Sequence, residues 1–146
     1  MKRQKGYTLV ELMIVILIVA ILCAISAPIL YGRIISAKWS EGKTMAGTLA
    51  SAIRSYIAYS GDVGTWDKTT LGYKQLGFLP QDFDGMYFKN EDFFWVVQVV
   101  QVPPINNYQL QYNIMVYPPE GLAGPPGMES GMQLNQTGLW GPIMSE

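Results

Sequence analysis

Hydrophobic and polar positions divide the chain into stretches of different period. Between Tyr7 and Leu30 it is apolar on every side of a helix, with Leu12, Ile14, Val15, Ile16, Leu17, Ile18, Val19, Ile21 and Leu22 filling all faces. Glu11 is the only group there charged at neutral pH. A helix hydrophobic all round belongs in a membrane or a large core, and this run exceeds the roughly 20 residues that span a bilayer. From Arg33 to about Tyr59 the period becomes amphipathic. Met45, Leu49, Ile53 and Tyr56 or Ile57 recur at spacings of three and four, and Ala37, Ala46, Ala50, Ala52 and Ala58 favour helix. Gly42 and Gly47 each cost up to about 1 kcal/mol in a helix interior and mark close packing or flexibility. One helix is therefore predicted from Tyr7 to about Ser60, roughly 80 Å long at about 1.5 Å per residue.

Beyond it the signals change to turns and a period of two. Ser60-Gly61-Asp62-Val63-Gly64 has the chemistry of a helix stop. Leu71 to Leu79 is a connecting segment with a short helix expected around Tyr73 to Leu76, and Pro80, Asp82, Asp84 and Gly85 read as loop. Three strands are predicted: a short one over Met86–Lys89, a valine- and aromatic-rich one over Asp92–Val102, and Tyr108–Tyr117. The last alternates cleanly, with Tyr108, Leu110, Tyr112, Ile114 and Val116 on one face and Gln109, Gln111 and Asn113 on the other. Pro103 to Asn107 joins the pair as a wide hairpin. A final strand is expected from Met132 to Gln136, or ending at Trp140, and Pro118–Gly131 reads as an exposed loop. The fold class is α+β: a long N-terminal helix, transmembrane in its first half and amphipathic in its second, packed on a small antiparallel sheet with one covered face.

Charge and composition narrow the chemistry. The 146 residues hold no histidine and a single cysteine, Cys23. The commonest acid–base catalyst is absent and no intramolecular disulfide can form. Cys23 lies within the apolar run and reads as a small hydrophobe. With no nucleophile motif or phosphate-binding loop either, the chain reads as a non-enzyme without cofactor. Asp82, Asp84, Glu91 and Asp92 are close in sequence and are weak oxygen-ligand candidates for calcium; their spacing lacks the twelve-residue loop pattern, and a solvated acidic loop is the preferred reading.

The first thirty residues carry the functional signal. Lys2, Arg3 and Lys5 precede the apolar run without an acid, which keeps that end cytoplasmic by the positive-inside rule and places the rest of the chain outside. A cleaved secretory signal fits poorly, because the apolar stretch is too long and Pro28 follows the candidate cut at Ala27. A plain membrane anchor fits the length but leaves Glu11 unexplained, since a charge at the centre of a spanning helix costs roughly 2.5–3.5 kcal/mol on insertion scales.

The stretch Lys5-Gly6-Tyr7-Thr8-Leu9-Val10-Glu11-Leu12-Met13 resembles the processing motif of type IV pilins and type II secretion pseudopilins. The resemblance implies a leader over residues 1–6, an assembly helix over 7–31 and an extracytoplasmic pilin-like domain over 32–146. It implies a cut by prepilin peptidase between Gly6 and Tyr7, N-methylation of Tyr7, and a register contact between Glu11 and the new amine of a neighbouring subunit. The family usually has Phe where this chain has Tyr7, a change that keeps the ring. Pro28, which removes a backbone donor and kinks or loosens the helix near Ala24, also fits the family pattern.

The function so implied is that of a structural filament subunit, in a type IV pilus or a secretion pseudopilus. Its partners would be the peptidase, copies of itself and other pilins or pseudopilins, the inner-membrane assembly machinery and membrane lipid. Its location would be the bacterial inner membrane, single-pass with a cytoplasmic N-terminus, and then a surface or periplasmic filament. Loss of Lys2, Arg3 and Lys5 with the leader takes the formal charge from −1 to −4, which argues against nucleic acid as a partner. The competing reading is a non-polymerising, membrane-anchored binding protein that uses the same processing signal.

Overall fold

The computed structural model describes residues 7–102, 107–125 and 127–143. Gly6 and the rest of the leader, the core of the expected 103–107 hairpin, and Pro126 lie outside the described residues. Helix α1 spans Leu9–Ser60, and the chain divides after Ile34 into two units.

Among the described residues of the first unit none is buried. Leu9 to Leu30 is exposed on all sides, with large apolar residues 51–75% accessible. By length and composition this part of the helix is able to cross a membrane.

The second unit holds the whole core. Its helical part buries Ile35, Trp39, Gly42, Ala46, Leu49, Ala50, Ile53 and Ile57, a stripe at spacings of three and four. The predicted stripe is found at Leu49, Ile53 and Ile57, whereas Met45 and Tyr56 are only partly buried. The helix stops at Gly61, whose φ of 66° supplies a left-handed cap and whose N–H donates to the Ile57 carbonyl at 3.0 Å.

Five antiparallel strands follow: β1 Gly64–Asp67, β2 Phe93–Val102, β3 Asn107–Val116, β4 Met132–Asn135 and β5 Trp140–Pro142, paired in chain order. Their register places Phe93 opposite Val116, Trp95 opposite Ile114 and Val97 opposite Tyr112, and carries the row on through Leu134 beside Ile114. These residues are buried and share one hydrophobic core with the helical stripe. Rings tie the connecting segments into this core: Trp39 on the helix meets Phe88 edge-on at 5.0 Å, and Tyr73 meets Trp95 of β2 edge-on at 5.0 Å. The expected α+β architecture is the observed one.

Several local expectations need correction. Met86–Lys89 is not a strand. The N–H groups of Tyr87 and Phe88 donate to the Glu41 carboxylate on the helix, at 3.1 and 3.3 Å. This segment thus finds its hydrogen bonds on a side chain rather than a ladder. Tyr73–Leu76 forms turns, not a helix, and Pro80–Phe83 is a short 3-10 helix within the expected loop. β1 was not predicted. The C-terminal strand is two strands, broken at a turn where Gly138 has φ 81°. The Pro118–Gly131 segment is partly anchored: Leu122 and Met128 pack on the core, and the Trp39 indole donates to the Ala123 carbonyl at 2.9 Å.

Candidate assembly site at the N-terminal turn

The helix starts on a capping box. Thr8 is the N-cap: its carbonyl accepts from Leu12 N–H at 3.2 Å, and its hydroxyl accepts from Glu11 N–H at 3.2 Å. Glu11 reaches back, and its Oε2 accepts from Thr8 N–H at 3.3 Å and from the Thr8 hydroxyl at 3.4 Å. An acid in the first turn is also favoured by the helix dipole. Glu11 therefore has a local reason to sit where it does. The signal was present in the sequence as Thr8-x-x-Glu11, a pattern that marks a helix start, and reading Glu11 as a costly charge with an assembly role overlooked it. Both Glu11 bonds fall on Oε2; Oε1 makes none among the described residues. Tyr7, just before the cap, is 80% exposed.

Further along, Cys23 is exposed. The Ser26 hydroxyl donates to the Leu22 carbonyl at 2.8 Å. Pro28 lies inside the helix, which is assigned on both sides of it.

Three of the four acids weighed for calcium, Asp82, Asp84 and Asp92, are used locally. Asp82 accepts from Leu79 N–H at 2.9 Å, Asp92 from Lys89 N–H at 2.7 Å, and Asp84 from Asn90 backbone and side-chain N–H groups at 3.1 and 3.0 Å. The Asn90 bonds hold the Asp84 carboxyl below its ordinary range. Among the described residues no group of three or more His, Cys, Asp or Glu is arranged to hold a metal ion.

Lys68 is a structural cation that sequence reading missed. Its Nζ donates to the carbonyls of Asn90 and, at 2.6 Å, Phe93, and it lies over the Tyr73 and Trp95 rings. Desolvation lowers its pKa. It ties the segment after β1 to the start of β2.

The sheet face opposite the core carries a groove of about 340 Å³, where the uncharged amides Gln98, Gln111, Asn113 and Gln136 stand beside Val96 and Met115.

Comparison with known proteins bears on the N-terminal turn. Residues 1–27 match the family model described as the prokaryotic N-terminal methylation motif. Fimbrial protein EcpC of Eikenella corrodens is 44% identical over 63 residues, which cover 43% of this chain and 39% of that protein. Type IV major pilin protein PilE1 of Neisseria gonorrhoeae is 38% identical over 88 residues, covering 59% and 50%. Over its N-terminal part the chain is thus similar to fimbrial proteins and type IV pilins. A further relative, type IV major pilin protein PilA of Myxococcus xanthus (strain DK1622), is 34% identical to this chain over 79 residues, covering 54% and 33%. The matched stretch thus spans between a third and a half of these curated relatives' own lengths. The relatives are named as fimbrial proteins and pilins, and none of these names describes an enzyme. No solved structure matches the chain significantly.

Proposed function

We propose that the chain is a structural subunit of a type IV pilus, cut by prepilin peptidase between Gly6 and Tyr7 and N-methylated at Tyr7. The carrying observation is a carboxylate in the first turn of an apolar helix that has no cover of its own. In lipid the helix is covered by acyl chains; in a filament it is covered by other helices. Basic residues Lys2, Arg3 and Lys5 keep the leader cytoplasmic, so the helix is a single-pass inner-membrane anchor before assembly and the second unit is extracytoplasmic. The names of the relatives favour a pilus over a secretion pseudopilus.

The register mechanism follows from charge. Cleavage creates an amine at Tyr7 with an ordinary pKa of about 7.7–8.0, largely protonated at neutral pH. Glu11 of one subunit takes the Tyr7 amine of the next, and each charge relieves the other's desolvation cost in the apolar surroundings. Oε2 is held by Thr8, which fixes the carboxylate and leaves Oε1 for the neighbour.

Mass analysis of the mature N-terminus tests the processing: the expected start is a methylated Tyr7, and a start near Pro28 would end the proposal. For the register step, Glu11→Ala is expected to be cut normally yet to be absent from sheared filaments. Normal incorporation of that variant would refute the pairing mechanism.

A further inference from the structure

The turn between β4 and β5 carries a motif that filament assembly does not use. Asn135-Gln136-Thr137 is an Asn-x-Thr acceptor sequence without proline at its centre. Its two ends are already joined in the fold. Asn135 Oδ1 accepts from the Thr137 hydroxyl at 2.6 Å, from Thr137 N–H at 3.0 Å and from Leu139 N–H at 3.1 Å. Three donors fix the oxygen end of the amide, so the Nδ2 end is left without an acceptor among the described residues. Gln136 and Thr137 are exposed and Asn135 is half-buried.

The surroundings supply an independent observation. Asn135 pairs directly with Asn113 across the β3–β4 ladder, and Asn113 and Gln136 both line the amide groove. Residues directly opposite in an antiparallel pair project from the same face, so the acceptor amide stands at the edge of that groove. The side chains of Gln98, Gln111, Asn113 and Gln136 make no hydrogen bond among the described residues. Each offers both a donor and an acceptor, and no charged residue lines the groove. This is chemistry for a neutral, polyhydroxylated ligand, with Val96 and Met115 available to its C–H faces.

We propose that Asn135 is the acceptor of an N-linked glycan and that the adjoining amide groove seats its first sugars. The donor class is a polyprenyl-diphosphate-linked oligosaccharide, used by a transferase outside the cytoplasm. Nδ2 bonds to C1 of the first sugar, the C1–O bond to the diphosphate breaks, one amide proton leaves to the transferase's base, and the lipid diphosphate departs. The placement rests on the extracytoplasmic orientation proposed above.

The test is peptide mass mapping of the full mature chain, purified from the cells that make it, with the N-terminal and Asn135 peptides read in the same sample. The expected result is a methylated Tyr7 together with carbohydrate mass on Asn135. Asn135→Gln and Thr137→Ala should each lose it entirely, and Thr137→Ser should retain it. Circular dichroism of the Asn135→Gln variant separates lost modification from lost folding. A bare Asn135 beside a methylated Tyr7 overturns the acceptor site while leaving the filament reading intact, as does carbohydrate found only on serine or threonine. An unprocessed N-terminus shows instead that the filament reading has failed, and the glycan proposal falls with it. For the groove, side-chain amide NMR signals of Gln98, Gln111 and Asn113 should differ between the glycosylated chain and Asn135→Gln; unchanged Gln98 and Gln111 signals would overturn the seating.

Discussion

At the scale of single residues, polar side chains of this chain act chiefly on the backbone near them. Asp67 is the densest case. Its Oδ1 accepts from the Thr69 hydroxyl at 2.6 Å, from Thr69 and Thr70 N–H at 3.0 Å each, and from the Thr70 hydroxyl at 3.0 Å. These bonds, the Thr69 hydroxyl first, lower its pKa from 3.8 to about 2. A carboxyl depressed by folding stabilises the native state fully above its unfolded value, and that contribution disappears as pH falls toward the folded value. The window for Asp67 is therefore between about pH 4 and about pH 2. Asp84 and Glu129 are shifted in the same direction by their own N–H donors. Urea midpoints measured at neutral pH and near pH 3 should show acid destabilisation that is reduced, not abolished, in Asp67→Asn. An unchanged pH dependence in that variant would mean that the turn is already open in acid.

At the scale of elements, the two helix glycines separate what sequence alone left together. A Cβ at Gly42 would stand 3.1 Å from the Phe88 ring, which is fully buried and held edge-on by Trp39. A Cβ at Gly47 would meet nothing within 4 Å. Gly47→Ala should therefore stabilise by about 1 kcal/mol through helix propensity, raising the melting temperature by about 4 °C. Gly42→Val should destabilise by about 1–3 kcal/mol, because the ring has nowhere to retreat. Thermal denaturation of the two variants checks the pair, and a stabilised Gly42→Val would mean that the Phe88 contact is loose. The same contact explains why some elements were legible and others were not. α1, β2 and β3 declare themselves through long runs of one period, so their type and nearly their ends can be read directly. Met86–Lys89 looked like a strand because Tyr87 and Phe88 are β-prone, but its partner is Glu41, 47 residues earlier than Phe88. β1 is four residues with a glycine at its start and exists only because β2 offers an edge. At the N-terminus the apolar span and its acid were legible, and the capping role of Thr8 was written in the same residues. The amide groove was not legible: Gln98, Gln111, Asn113 and Gln136 are brought together by register across β2, β3 and the turn after β4.

At the scale of the molecule, the chain separates a part that folds by itself from a part that needs company. Among the described residues, none before Ile35 is buried, and every residue of the hydrophobic core lies from Ile35 onward. The apolar segment exposes far more contiguous hydrophobic surface than the few hundred Å² that monomeric soluble proteins tolerate, so it requires lipid or other helices around it. The second unit requires neither: its helical stripe, aromatic rings and sheet face complete one another. A chain beginning at Gly32 should consequently be soluble without detergent, keep the near-ultraviolet dichroism of its buried Trp39 and Trp95, and melt within about 2 °C of the full chain in detergent, since no core contact is removed. The truncation keeps about two helical turns before Trp39, because the first N–H groups of a helix lack internal partners and fray. A melting temperature lowered by 10 °C or more, about 2 kcal/mol for a domain of this size, would mean that the apolar helix supports the fold as well as anchoring it. If the midpoint is unchanged, the sequence of Tyr7 to Leu30 is free of any folding requirement from the domain. Under the proposed function its composition, with one acid in the first turn, is then set by the two environments that would cover it in turn, lipid and neighbouring helices.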